Sequence, residues 1–257
     1  MYLASSIIAM QDQPNLKVSQ LFIYPIKSLG GISVSQALLQ ERGFQYDRRW
    51  MLVDSNNQFL TQRVHPNMAS LRTSIVKDEI HIINKNTPYE KLIIPATLTA
   101  GRKIRVQVWA DNCEAIEAPP AMNDWFSKQL GLNCKLVHMP VETKRLVDEN
   151  YAIADEITSF ADAYPVLIIG QSSLDDLNDR LAEPLPINRF RPNIVFEGGR
   201  PYEEDEFASF EIKDITFYGV KLCSRCVLTT VDQETSAKGK EPLRTLASYR
   251  HRNNQIY

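Results

Sequence analysis

The chain has 257 residues, 44% hydrophobic and 23% charged, a globular composition long enough for one large domain or two small ones. Its 29 basic and 31 acidic residues give a net charge of −2, which leaves no basic surplus for sequence-independent nucleic-acid binding. The cysteines, Cys113, Cys134, Cys223 and Cys226, are too sparse for a disulfide scaffold and suit a reducing, cytoplasmic setting; no apolar run reaches the ~18 residues of a membrane helix.

The opening ten residues carry an apolar stretch without a basic flank and read as a loose leader, with the fold starting near Lys17. Segments 17–24 and 32–39 read as strands, split by Pro25-Ile26-Lys27-Ser28-Leu29-Gly30-Gly31, whose Pro and Gly suit a sharp turn. Segments 49–54, 71–76, 79–83, 91–94 and 104–109 continue as short strands, with a hairpin turn over 54–58. Many short strands at close spacing predict a small barrel or sandwich. A soft boundary falls at 110–120, where the pattern becomes mixed. Residues 120–130 switch to helical spacing, with Trp125, Phe126 and Leu130 on one side. A strand over 134–137 follows, then the polar, irregular segment 141–158, which reads as a long loop over a site. After an apolar run at 165–169, Ser172 and Ser173 precede the apolar periodicity of 174–181, an N-cap signature. Strands resume at 193–196, 208–212, 215–219 and 227–231, and 242–250 reads as a helix with Pro in its first turn.

The stretch Lys221-Leu222-Cys223-Ser224-Arg225-Cys226 places a thiol after an arginine and before a run predicted as a strand. A thiolate beside a cation serves as a nucleophile, a redox centre or a metal ligand. Cys223-x-x-Cys226 spacing suits zinc or dithiol chemistry. Structural zinc needs four ligands, yet Cys113 and Cys134 form no second pair, and His65, His81, His138 and His251 are scattered. Two inert, buried cysteines are the plain alternative. A second set of candidates is cationic: Lys27-Ser28, Arg48-Arg49, and Asn188-Arg189-Phe190-Arg191-Pro192-Asn193 all fall at loop–strand junctions. Each alone reads as a surface charge; together they suit an anionic, phosphate-bearing ligand. No Walker, dinucleotide or GxSxG pattern is present. Glu203-Glu204-Asp205-Glu206 reads as a solvated loop.

Four segments jointly resemble the MOSC proteins, in the subgroup with an N-terminal β-barrel domain. They are Tyr24-Pro25-Ile26-Lys27-Ser28, Asp47-Arg48-Arg49-Trp50, Phe190-Arg191-Pro192-Asn193 and Cys226-Val227-Leu228-Thr229-Thr230-Val231-Asp232. Phe160-Ala161-Asp162-Ala163-Tyr164-Pro165 and Ser248-Tyr249-Arg250 support the resemblance. The pattern is similar to that of the mitochondrial amidoxime reducing component and its bacterial counterparts, and more distantly to the C-terminal part of molybdenum cofactor sulfurase. The resemblance implies a mainly β fold with some helices (α+β), in which a small N-terminal β-barrel domain over 17–115 packs on a MOSC β-barrel over 116–257. It implies a molybdenum cofactor (Mo-molybdopterin) in the cleft between them. Cys226 would be the catalytic residue and molybdenum ligand, and Lys27, Ser28, Arg48, Arg191, Asn193, Ser224 and Arg225 would contact the pterin and its phosphate. The implied activity is reduction of small N-hydroxylated compounds by oxygen-atom transfer to molybdenum. The alternative is a protein that binds the cofactor without catalysis or carries sulfur on Cys226. No cysteines remain for a fused iron–sulfur domain, so a separate electron-donor protein of ferredoxin or cytochrome type, with its reductase, is expected. Neither a membrane nor a nucleic acid is an expected partner. Asp232 reads as a supporting group of the site or as a turn residue. Relatives usually run beyond the position of Tyr257 through a short strand pair, which this chain is expected to lack.

Overall fold

Short β-branched runs dominate the sequence. In this computed structural model, which describes residues 2–4 and 16–257, they form a mainly β fold with three short α-helices. Leu71–Val76, Glu79–Asn84 and Thr87–Pro95 make an antiparallel meander. In its central strand Ile80, Ile82 and Asn84 alternate inward, the period of two expected of a pleated strand with one buried face. A four-stranded sheet takes Lys103–Val108, Asp111–Glu117, Lys135–His138 and Trp50–Val53 in that order. A second four-stranded sheet takes Ile168–Gly170, Ile194–Glu197, Lys17–Ile23 and Ile32–Val34, so the strand after residue 16 pairs with one nearly 180 residues later in the register Ile194↔Leu21. This interleaving ties the two halves of the chain together and sets the 25–31 turn beside the 190–193 segment.

Helix α1, Pro120–Leu130, matches its predicted span; Phe126 is fully buried, and the helix ends on Gly131 in the left-handed region (φ 67°). It packs on a core built around Ile26, Leu29, Trp50, Met68, Leu71 and Ile80. Residue 115 lies inside the strand Asp111–Glu117, whose polar start hid it from the sequence pattern, and the same sheet continues into Lys135–His138.

Several expectations are corrected. The predicted strand 32–39 breaks at Ser35, because Ile32–Val34 pairs with Lys17–Ile23 while Gln36–Gln40 joins Gly43–Phe44 and Tyr2–Ala4. Tyr2–Ala4 is thus a strand rather than loose leader; the rest of the leader lies outside the described residues. The 227–231 run is a 3₁₀ turn, Val227–Thr230, because Thr229 Oγ1 donates to the Cys226 carbonyl (2.9 Å) and Thr230 Oγ1 to that of Val227 (2.8 Å). Threonine hydroxyls that bond back to the chain compete with a strand ladder. Helix α2, Gln171–Asn178, has Gly170 at its N-cap without a side-chain cap. Ser173 instead donates to Glu204 (2.8 Å) and accepts from the Tyr202 amide (2.7 Å). The acidic run is therefore a tie between elements: Glu204 also accepts from the Gly170 amide (2.9 Å), and Asp205 holds Arg250 (2.6 Å). Helix α3, Leu243–Tyr249, follows Pro242 as expected.

One buried titratable group sets an acid limit on the fold. His138 is 1% exposed against Trp50, and burial, with Arg49 adding repulsion, pushes its pKa down to about 3. An unfolded imidazole takes a proton near pH 6.5, so between about pH 6.5 and 3 the unfolded chain holds more protons and stability falls as pH falls. The expected slope is about 1.4 kcal/mol per pH unit within that window. Urea midpoints of the wild type and of His138→Phe at pH 7 and 4.5 check this: the variant should lose less on acidification, and equal losses would clear His138.

Candidate functional site

Four loops, 25–31, 47–50, 190–193 and 221–226, converge on one cavity. In the first, the 25–31 turn, the Lys27 amide donates to the Trp50 carbonyl (2.8 Å) and Ser28 adopts φ 65°, so a sharp turn carries both side chains inward. Each is only 4% exposed. Lys27 Nζ donates to the Phe160 carbonyl (2.7 Å) and to Asp162 Oδ1 (2.5 Å). Burial lowers the Lys27 pKa to about 8 although Asp162 opposes the shift. Asp162 is half-exposed, and Lys27 and Arg63 hold its carboxyl well below the usual carboxylate range.

The second and third loops meet at Tyr24. Asp47, 1% exposed, accepts from the Tyr24 amide (2.8 Å), Arg48 Nη1 (2.6 Å) and Asn193 Nδ2 (3.1 Å). Asn193 Oδ1 accepts from Arg48 Nη1 (2.9 Å) and the Leu167 amide (3.2 Å). Arg191 donates to the Leu29 carbonyl (2.7 Å). The guanidiniums of Arg48 and Arg191 each lie 4.3 Å from the Tyr24 ring centroid. Both arginines sit at positive φ, 48° and 56°, a conformation kept where a functional side chain must be aimed. Burial raises the Tyr24 phenol to about 12, and burial together with Arg48 lowers Arg191 to about 10.

Cys226 enters from the irregular segment ahead of the 3₁₀ turn. Its half-buried sulfur accepts from Arg63 Nε (3.1 Å), while Arg63 Nη2 donates to Asp162 Oδ2 (2.7 Å). Arg225 is held by its amide on the Ile256 carbonyl (2.7 Å), with its guanidinium 5.3 Å from the Phe190 ring. Cys223 is exposed, and its sulfur has only a 3.9 Å approach to the Ser224 carbonyl. Asp232 accepts the Glu234 and Thr235 amides as a turn residue and pairs with Arg189 (2.8 Å).

A cavity of about 980 Å³ is lined by Lys27, Ser28, Arg48, Arg191, Asn193, Ser224, Arg225 and Cys226, so all eight expected site residues share it. Arg63, Trp109 and Asp162 line it too. Asp47, Tyr24 and Asp162 stood within the segments that carried the resemblance but were not singled out. Arg63 lies in Thr61-Gln62-Arg63-Val64, where nothing in the sequence distinguishes it from a surface charge.

The residues fit an anionic, metal-bearing cofactor. Arg191 Nη2 is buried without a hydrogen-bond partner, a donor left over for a ligand oxygen. Among the described residues no cluster of three or more His, Cys, Asp or Glu side chains is placed to hold a metal ion. Residues 15–133 match the MOSC N-terminal beta barrel domain and residues 155–257 match the MOSC domain. The chain belongs to the MOSC family. It is 34% identical to mitochondrial amidoxime-reducing component 1 of Mus musculus, over 91% of this chain and 71% of that protein. It is 33% identical to the Homo sapiens counterpart, over 91% and 72%. Against molybdenum cofactor sulfurase of Oryza sativa subsp. japonica it is 32% identical over 94% of this chain, which spans 32% of that protein. Among the described residues of this MOSC chain, no helix is long and apolar enough to cross a membrane.

Proposed function

We propose that this MOSC protein binds a molybdenum–pterin cofactor through Cys226 and reduces small N-hydroxylated compounds. The observation that carries this reading is the Cys226 sulfur held at 3.1 Å by Arg63 in a cavity lined by Lys27, Arg48, Arg191 and Arg225. A soft thiolate suits molybdenum, and a guanidinium on the sulfur fixes its orientation and offsets its charge. Arg48 is already committed to Asp47 and Asn193, so it braces the site. Arg191, with its free Nη2, the buried Ser28 and the exposed Ser224 on the cavity wall are the groups left to bind a pterin phosphate. Lys27 and Asp162 hold the 160–162 segment against the 25–31 turn. Once bound, the cofactor would supply two-electron chemistry that takes the substrate oxygen; with two protons, N–OH becomes N–H and water. The electrons would come from a separate donor protein.

Expression in a cofactor-producing host, followed by elemental analysis and turnover of benzamidoxime with a chemical reductant, tests the reading. Near-stoichiometric molybdenum with turnover is expected. Molybdenum without turnover would instead favour a cofactor or sulfur carrier, the reading that the similarity to the sulfurase supports. Absence of both molybdenum and turnover would overturn the proposal.

A further inference from the structure

A two-residue turn, Trp109-Ala110, joins the strands Lys103–Val108 and Asp111–Glu117, whose last pair is Val108↔Asp111. Such turns favour Gly, Asn or Asp because their backbone enters the left-handed region. Here the first turn position is a tryptophan at φ 56°. A bulky residue in that conformation is strained, and strain of this kind gathers at functional sites. The ring is 45% exposed, whereas Trp50 is fully buried. It is nonetheless held in place. Its Nε1 donates to Asp162 Oδ1 (3.3 Å), the Arg63 guanidinium lies 4.8 Å from the ring centroid, and Phe59 packs at 4.9 Å. Arg63 is the side chain that reaches the Cys226 sulfur. A rigid, exposed indole therefore stands on the cavity wall one residue away from the thiol. Packing Arg63 alone would not require an aromatic ring left open to solvent in a strained turn.

We propose that Trp109 is a specificity-determining residue that stacks the planar aromatic body of the substrate and directs its N–OH group toward Cys226. This rests on the reductase reading above. The chemical class is aryl or heteroaryl compounds whose hydroxylated nitrogen is conjugated to the ring, such as aryl hydroxamates and aryl amidoximes. Tyr151 and Ile153, 38% and 59% exposed on the same cavity, extend the apolar surface for such a body. The ring is fixed by Asp162 and Arg63, so little order is lost on binding, which favours a flat partner over a flexible one.

Benzhydroxamic acid and acetohydroxamic acid share the reacting group and differ in the ring. In Trp109→Leu the ratio of kcat/KM for the first over the second should fall about five- to tenfold, as expected for one lost aromatic contact, and Trp109→Phe should restore most of it. An unchanged ratio would make Trp109 a prop for Arg63 and overturn the proposal. A second measurement separates this failure from that of the reductase reading. Benzhydroxamic acid should quench the tryptophan fluorescence of the purified chain, and Trp109→Phe should abolish the quenching. Quenching without turnover would remove the reductase reading and keep the platform; quenching that is absent, or that persists in Trp109→Phe, would remove the platform.

Discussion

Cys226→Ala is expected to remove most of the bound molybdenum, whereas Cys223→Ala keeps it. Both thiols line the cavity, and their spacing alone suits paired chemistry. Their surroundings separate them. Cys226 is half-buried and receives the Arg63 Nε–H, while Cys223 is exposed and has only the long Ser224 approach. Cys226 also sits at the N-cap of the 3₁₀ turn, where its carbonyl takes the Thr229 amide (3.0 Å) and hydroxyl (2.9 Å), so its backbone is fixed and its sulfur aimed. Cys223 belongs to an irregular stretch without such ties. With Cys226 as the proposed ligand, its loss should cost more than tenfold in retained metal, since loss of even an outer-shell partner costs about that much. Elemental analysis of the two variants, purified side by side from a cofactor-producing host, reads the result directly. Equal loss would mean that the two thiols act together and would revive dithiol or zinc chemistry. Equal retention would remove Cys226 as the ligand.

Much of this arrangement is legible in the sequence, and the rest has a physical reason for being hidden. Strand runs such as Leu71–Val76 and the helix Pro120–Leu130 follow from local pattern, because alternation, Pro and Gly act over a few residues. The 227–231 run shows where local pattern fails. Its β-branched residues suit a strand, but two threonine hydroxyls satisfy the carbonyls that a strand would have offered to a neighbour. The cations at Lys27, Arg48 and Arg191 stand out because each lies beside a turn signal. Their shared cavity depends on Lys17–Ile23 crossing to pair with Ile194–Glu197, a long-range register that no local pattern reports. Arg63 and Asp162 are hidden for the same reason: a salt bridge between residues 63 and 162 (2.7 Å) exists only after the two halves have met. An arginine or aspartate seen alone is read as a surface charge, and only its burial or its partner changes that.

Asp47→Asn is expected to give the largest loss of stability of any single change at the site. Asp47 is 1% exposed and carries three hydrogen bonds, from the Tyr24 amide, Arg48 and Asn193. Burial pushes its carboxyl up, and Arg48 is the main group opposing that shift. Burial likewise opposes the Arg48 charge, and Asp47 more than offsets it. The intact pair therefore adds little net stability; what matters is the charge left behind when one member goes. In the amide variant Arg48 stays cationic without the carboxylate that touches it, and an N–H₂ group faces the Tyr24 amide, Arg48 and Asn193 donors. Breaking such a pair costs about 3–5 kcal/mol. For a chain of this size that corresponds to a fall in melting temperature on the order of 10 °C. Asp162→Asn is the matched comparison: the carboxylate removed is 47% exposed, and Lys27, whose pKa burial already lowers to about 8, can give up its proton when that counter-charge goes. Its melting temperature should fall by clearly less, although Arg63 then loses its brace. Thermal melts of both variants decide the matter. Equal losses would mean that the Asp47–Arg48 pair is not the buried hinge between the 47–50 and 190–193 segments, and that the cavity owes its shape to the surrounding sheet instead.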